Sequence, residues 1–200
     1  MKIQSQLEEM QWKQLRHDEN YHKEIWLLTV QQRITHMTLH LSKYSAKITI
    51  SAFEDDTDTL RKTTIDALII SFSSANIFSV PLSKFALSDE NRNLSNINEL
   101  SENLFKPYKS ANKNISTQLS LEILRNTGML CKFVESLDHL ETLDYRGKIL
   151  ESLAAVFRLL LALCYCMDIK DIENKISDRL YTLESKNIFF NMLGNYQKGY

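Results

Sequence analysis

The chain has 200 residues, of which 44% are hydrophobic and 24% are charged, and its formal net charge is −1. This composition is typical of a globular protein. The near-neutral charge argues against a surface that coats nucleic acid, because neutralising phosphates needs a concentrated basic face. Only four glycines and two prolines occur, which predicts long uninterrupted helices.

Hydrophobic spacing predicts an all-α bundle of seven helices. The fourth helix is rich in asparagine, which weakens it as one continuous element, and Thr57 or Asp58 is the expected cap of the third. The predicted helices cover residues 4–26, 27–52, 60–79, 81–105, 116–140, 145–167 and 168–190.

Residues 106–114 form the clearest linker. They divide the chain into an N-terminal unit (1–106) and a C-terminal unit (107–200), which we expect to pack as one compact domain. The same order of elements returns after the linker at an offset of roughly 88 residues. Two such units with matching apolar faces would pack about a pseudo-twofold axis, as an internal version of a symmetric dimer.

The terminus, the apolar segments and the cysteines predict a cytoplasmic protein. Residues 1–11 show no apolar run after a basic start, so no signal peptide is expected. The most apolar segment, residues 153–167, contains Arg158 and is shorter than a bilayer span, so no membrane contact is expected. The three cysteines are odd in number and form no CxxC pair, which favours small buried thiols over disulfides or zinc.

The second predicted helix has an unusual polar stripe. The spacing i, i+4, i+7, i+11 places four basic side chains on one face, namely His36, His40, Lys43 and Lys47. The stripe fits contact with phosphate and equally fits exposure to water. His36 and His40 also have the spacing of a helical metal pair, but no glutamate follows the first histidine, so zinc there is disfavoured. The matching face of the second unit contains Arg125, Lys132, Glu135 and His139.

Asp66 and Arg158 are each the sole charge in an apolar helical segment. A charge inside a packed bundle is costly unless it is paired or binds a metal. One interpretation is that both side chains reach a rim or pair with partners such as Glu151 or His139. The other is that Asp66 and acids of the preceding connector bind a divalent cation, since oxygen ligands suit magnesium.

Four segments of the chain indicate a family. They are HMTLHLSKYSAKI and RKTTIDALIISFSSANIFSVPL in the first unit, and GMLCKFVESLDH and YRGKILESLAAVFRLLLALCYCMDI in the second. Together they resemble the MazG-like all-α nucleoside triphosphate pyrophosphohydrolases over residues 27–190. The resemblance implies helical bundles, often dimeric, that use Mg²⁺ to split a nucleotide into a monophosphate and pyrophosphate.

The chain departs from the carboxylate pattern of this family, which pairs E-x-x-E on one helix with E-x-x-D on the next. The first unit keeps only Asp66 and has Lys43 and Lys47 at the E-x-x-E positions. The second unit keeps Glu135 and Glu151. Because lysines repel a cation, complete two-metal chemistry within either unit is not expected.

Two functional interpretations follow. In the first, one composite site across the units binds a nucleotide or another phosphate-containing small molecule and, if active, hydrolyses it. Mg²⁺ would be bound by the candidate catalytic residues Asp66, Glu135 and Glu151. The phosphates would contact His36, His40, Lys43, Lys47 and Lys132. In the second interpretation the bundle has lost catalysis and acts as an interaction or scaffold protein that binds a protein partner. Either is compatible with a homodimer.

Overall fold

The computed structural model of the chain describes residues 2–109, 114–138 and 144–186. Within these ranges the protein is all-α, as predicted, with nine α-helices and no strand. The helices are α1 (Ile3–Tyr21), α2 (Lys23–Trp26), α3 (Val30–Phe53), α4 (Thr57–Ile77), α5 (Ser83–Ala86), α6 (Ile97–Phe105), α7 (Ile115–Glu135), α8 (Tyr145–Cys166) and α9 (Ile172–Glu184). The predicted candidate His139 and residues 110–113 of the predicted linker lie outside the described residues.

Two pairs of long helices form the centre of the bundle. α3 packs against α4, α7 packs against α8, and the pairs meet through α3 with α7 and α4 with α8. At the α4–α8 contact the rings of Phe72 and Phe157 lie edge to face, with centroids 5.2 Å apart. Both side chains are fully buried, so apolar burial joins the two halves of the chain.

The helix that follows each pair packs on the other pair. α6 follows α4 in the chain but packs on α8, whereas α9 follows α8 and packs on α4. Each half of the chain thus places a later helix on the long helices of the other half. We call this the exchange of α6 and α9, and it is the arrangement expected of a repeated unit. As a result, α9 lies on α4 close to the polar stripe of α3.

α4 and α8 begin with matching helix caps. Asp56 accepts a hydrogen bond from the backbone N–H of Thr59 (3.1 Å), and Asp144 accepts one from that of Gly147 (3.0 Å). The two caps are 144 − 56 = 88 positions apart. The prediction of Thr57 or Asp58 as the cap was wrong, because both lie inside the first turn of α4.

Two predicted helices are interrupted. His22, with φ −128° and ψ 46°, separates α1 from α2, so residues 4–26 do not form one helix. Residues 81–105 form α5, a 3-10 turn at Asn91–Asn93 and α6 instead of one polar helix. Asn96 caps α6 by accepting from two backbone N–H groups. Asparagine favours such caps because its side chain competes with the helix backbone.

α8 is the central buried helix. The apolar segment at residues 153–167, which was predicted to be too short for a span, covers only the C-terminal part of this helix. The 22 residues of the whole helix are long and apolar enough to cross a membrane by length and composition. However, 72% of its apolar window is buried inside the bundle, as in the core helix of a globular fold. Arg158, the single charge of residues 153–167, donates from Nη1 to the carbonyl of Phe85 (2.8 Å), and burial lowers its pKa.

The three cysteines are free thiols, as predicted. Cys164 is fully buried, and burial raises the pKa of its thiol. Cys131 and Cys166 are only partly buried. The prediction of small buried thiols therefore describes Cys164 best.

Candidate functional site

A cavity of about 470 Å³ lies between α1, α2, α3, α4 and α9. Its volume is within the range of small-molecule sites, about 300–1,000 Å³. All four histidines of the described ranges line it, namely His17, His22, His36 and His40. We call it the histidine cavity.

The α3 wall places two imidazoles side by side. The ring centroids of His36 and His40 are 4.6 Å apart, and the ring of Tyr44 follows 6.1 Å from His40. Burial, with smaller contributions from the charges of Lys43, His36 and His22, lowers the pKa of His40 to about 4. His40 is therefore neutral at pH 7, and its buried Nδ1 has no hydrogen-bond partner.

The polar stripe predicted on this helix divides into two parts. His36 and His40 line the cavity, whereas Lys43 and Lys47 are exposed and lie outside it. Lys43 Nζ lies 4.6 Å from the centroid of the Tyr44 ring. The fifth predicted phosphate contact, Lys132, is exposed on α7 and is bonded to Glu135. The structure thus brings together the two histidines but none of the three lysines.

Asp66 lies on the α4 wall and is paired with Arg179 from α9. Arg179 Nε and Nη2 donate to the two carboxylate oxygens of Asp66 at 2.6 and 3.1 Å. The side chains of Asp66 and Arg179 are 13% and 22% exposed. The interpretation of Asp66 as a paired charge is therefore confirmed, although the partner is neither Glu151 nor His139.

The other two predicted carboxylates are on the surface. Glu135 pairs with Lys132 and Glu151 pairs with Lys148, each one turn earlier on its own helix. Neither glutamate lines the histidine cavity. The structure therefore does not gather Asp66, Glu135 and Glu151 into one cluster.

The end of α1 contributes a group that sequence reasoning missed. His17, Asp18 and His22 each offer a ligand atom, and these atoms lie within 4.8 Å of one another. On a continuous helix His17 and His22 would point about 140° apart. The break at His22 brings them together, so only recognition of that break would have revealed the group.

Asp18 is fixed by two neutral donors. Its oxygens accept from Ser73 Oγ at 2.7 Å and from Gln14 Nε2 at 2.8 Å. Burial raises the pKa of the Asp18 carboxyl, and these two hydrogen bonds partly offset that effect. Ser73 lies on α4, so the carboxylate also ties α1 to the central pairs.

Arg33 and Trp26 form a stacked pair at the cavity. The guanidinium carbon of Arg33 lies 5.0 Å from the centroid of the Trp26 ring. The ring is 42% exposed, and Arg33 Nε is buried without a hydrogen-bond partner. The stacking holds a charged donor group against the cavity in a fixed orientation.

Unpartnered polar atoms are concentrated in this cavity. Among the described residues, five buried side-chain nitrogens and oxygens have no hydrogen-bond partner, and four belong to cavity residues. They are Gln14 Oε1, His17 Nε2, Arg33 Nε and His40 Nδ1. Each such atom costs about 1–3 kcal/mol, and buried polar groups are otherwise nearly always paired. A polar ligand bound in this cavity would form hydrogen bonds with these atoms and so offset that cost.

The fold and the cavity define the class of protein as an all-α helical bundle with a histidine-lined site. The chain matches no family model, no curated protein and no solved structure. The resemblance to the MazG-like proteins therefore rests on the four quoted segments and stays a prediction.

Proposed function

We propose that the protein binds a phosphate-bearing small molecule of the nucleotide class in the histidine cavity. The observation that carries this proposal is the convergence of the four unpartnered polar atoms. At least two of them, on Arg33 and His40, belong to side chains that can donate to phosphate oxygens. The MazG-like resemblance supports the same ligand class.

The phosphate end of the ligand would contact Arg33, His36 and His40. A guanidinium forms strong charge-assisted hydrogen bonds with phosphate oxygens. The stack on Trp26 fixes Arg33 before binding, which lowers the entropy that binding would cost. Lys43 and Lys47 would add only long-range attraction from outside the cavity.

The base end of the ligand would contact Trp26 and the apolar floor. Stacking of a base on an aromatic ring contributes about 1–3 kcal/mol. Ile69 and Ile70 of α4 and Leu183 of α9 complete the apolar lining. A ligand with one anionic end and one flat apolar end suits this lining best.

Hydrolysis is a separate proposal from binding. The paired state of Asp66 and the surface positions of Glu135 and Glu151 give no support to a shared Mg²⁺ site, so binding alone is the better-supported activity. Pyrophosphate release from a nucleoside triphosphate with Mg²⁺ would support hydrolysis. If that release depended on the predicted carboxylates, Glu135→Gln and Glu151→Gln would both reduce its rate.

A second candidate function, binding of a protein partner, is favoured by apolar side chains on the outer face of α3. Leu39, Ile50 and Phe53 are 63%, 56% and 62% exposed. Their spacing places them on one side of the helix. Ile50→Glu should then abolish any self-association seen by sedimentation without changing ligand binding in the cavity.

The binding proposal can be tested with one tryptophan as reporter. The chain has two tryptophans, and Trp12 is 57% exposed outside the cavity. In a Trp12→Phe background, Trp26 fluorescence should change saturably on titration with ATP, ADP or AMP in EDTA, and less with adenosine. Inorganic phosphate alone should bind weakly.

The matched variants are two arginine substitutions. Arg33→Ala should weaken nucleotide binding at least tenfold, since a charge-assisted hydrogen bond contributes about 1.5–3 kcal/mol. Arg16→Ala removes an exposed arginine of α1 outside the cavity and should leave binding unchanged. Lack of saturation with every nucleotide, or equal binding by both variants, would contradict the proposal.

A further inference from the structure

The first wall of the histidine cavity is the end of α1, where His17, Asp18 and His22 meet. We infer that these three side chains form a binding site for a transition-metal ion of the zinc class. This inference goes beyond phosphate binding and does not depend on it.

The hydrogen bonding of His17 is that of a metal ligand. Its Nδ1 is 2.9 Å from Glu184 Oε1, its ring is 3% exposed, and its Nε2 is buried without a partner. Histidines that bind metals usually donate their other ring N–H to a carboxylate, which fixes the tautomer and the ring orientation. With the proton on Nδ1, the lone pair of His17 Nε2 is available to a metal ion.

His22 repeats this arrangement with a longer contact. Its Nδ1 lies 3.5 Å from Glu24 Oε1, and its side chain is 46% exposed. Because His22 occupies the break between α1 and α2, it can rotate without disturbing either helix. Its Nε2 would be the second nitrogen ligand.

Asp18 supplies the oxygen ligand. Each of its oxygens accepts one hydrogen bond, from Ser73 or Gln14, and a carboxylate oxygen has room for a second interaction. A tetrahedral zinc ion with Zn–N bonds of about 2.05 Å separates its ligand atoms by about 3.3 Å. The ligand atoms of the three residues now lie within 4.8 Å of one another, so binding would draw them together by up to about 1.5 Å.

The ligand set selects the kind of ion. Two imidazoles and one carboxylate suit Zn²⁺, Co²⁺ and Ni²⁺, whereas Mg²⁺ prefers six oxygen ligands. Three protein ligands leave a fourth position open, as in catalytic zinc sites. The electrostatics are also suitable, because the C-terminal end of α1 carries the negative end of the helix dipole and Glu24 and Glu184 add negative charge.

The test is a metal titration of the full chain, without affinity tag and without any phosphate compound. After treatment with EDTA and its removal, Co²⁺ should bind with one-to-one stoichiometry and give the visible absorption of a tetrahedral site. Zn²⁺ should displace it. Mg²⁺ at the same concentration should give no binding heat. Absence of saturable binding of both Co²⁺ and Zn²⁺ would overturn the inference.

Three variants locate the ion. His22→Ala, chosen because His22 is half exposed, should weaken Zn²⁺ binding at least a hundredfold, and Glu184→Gln should weaken it about 10–100-fold through His17. His36→Ala, in the same cavity but outside the group, should leave the Zn²⁺ affinity unchanged, although it removes a side chain assigned to the phosphate end of the ligand. Thermal unfolding checks that each variant is folded.

Two outcomes of the variant series would contradict the site. Unchanged affinity in His22→Ala would show that the metal binds elsewhere. Loss in His36→Ala with retention in His22→Ala would move the site to α3. Because nucleotide binding is measured in EDTA, failure of the metal site and failure of the phosphate proposal give different results.

Discussion

Removing one member of the Asp66–Arg179 pair should destabilise the bundle by an amount that depends on which partner remains. Arg179→Met leaves the carboxylate of Asp66, 13% exposed, without its partner. Breaking a buried pair costs about 3–5 kcal/mol, and partial exposure places this variant near 3 kcal/mol. Asp66→Asn leaves a guanidinium that is 22% exposed and can turn toward water, so we expect a loss of about 2 kcal/mol.

The assay is urea unfolding of both single variants and the double variant, without metal or nucleotide. The double-mutant cycle should give a coupling energy of about 2 kcal/mol. Each kcal/mol should lower the thermal midpoint by about 2–4 °C in a chain of this size. A matched cycle on Lys148 and Glu151, whose side chains are 51% and 63% exposed, should give about 0–1 kcal/mol.

The same cycle separates the two interpretations of Asp66. If Asp66 served mainly as a metal ligand, Asp66→Asn would remove Mg²⁺ binding and leave the free energy of unfolding unchanged. A coupling energy below about 0.5 kcal/mol with Arg179 would refute the reasoning from burial and bidentate geometry.

Three further predictions concern stability. Gly128→Ala in α7 should stabilise by about 0.5–1 kcal/mol in urea unfolding, because alanine favours helix and an added Cβ meets nothing within 4 Å. Gly147→Ala should give no such gain, because its Cβ would lie against the Asp144 carboxylate that caps α8; equal gains at the two positions would contradict this. Asp144→Ala should cost about 1 kcal/mol by removing that cap, whereas an unchanged urea midpoint would show that the cap contributes nothing. Because folding lowers the pKa of His40 from 6.5 to about 4, the unfolded state binds more protons between these values, so stability should fall as pH is lowered from 6.5 to 4. His40→Gln should flatten this dependence in urea unfolding, and an identical pH profile would count against it.

Most of the fold was predictable from the sequence because long helices have a strong periodic signal. α7 and α8 begin within one residue of their predicted starts, whereas α3 begins three residues later and α4 three residues earlier than predicted. The 88-residue offset is repeated in the caps of α4 and α8. Breaks within helices were harder to predict, because neither His22 nor any residue of 82–105 is a glycine or proline.

The candidate site was only partly predictable. The periodicity of α3 identified His36 and His40, and the isolation of Asp66 in an apolar segment identified a charge that needs a partner. Neither signal could reveal that Arg179, 113 positions later, is that partner. Nor could helical periodicity predict that α1 and α9 would cover the two histidines of the stripe and leave the two lysines exposed, since that depends on packing between distant parts of the chain.

Because α9 packs on α4, both halves of the chain contribute to the wall of one cavity. Residues 14–77 supply most of its wall, but Arg179 and Leu183 come from the last described helix. A ligand that contacts both parts would stabilise their association by mass action, by about 2.7 kcal/mol at a concentration of 100 times its Kd. Selection for such a ligand would therefore act on both halves of the chain at once. Loss of α9 from the second half would open the cavity that the first half lines.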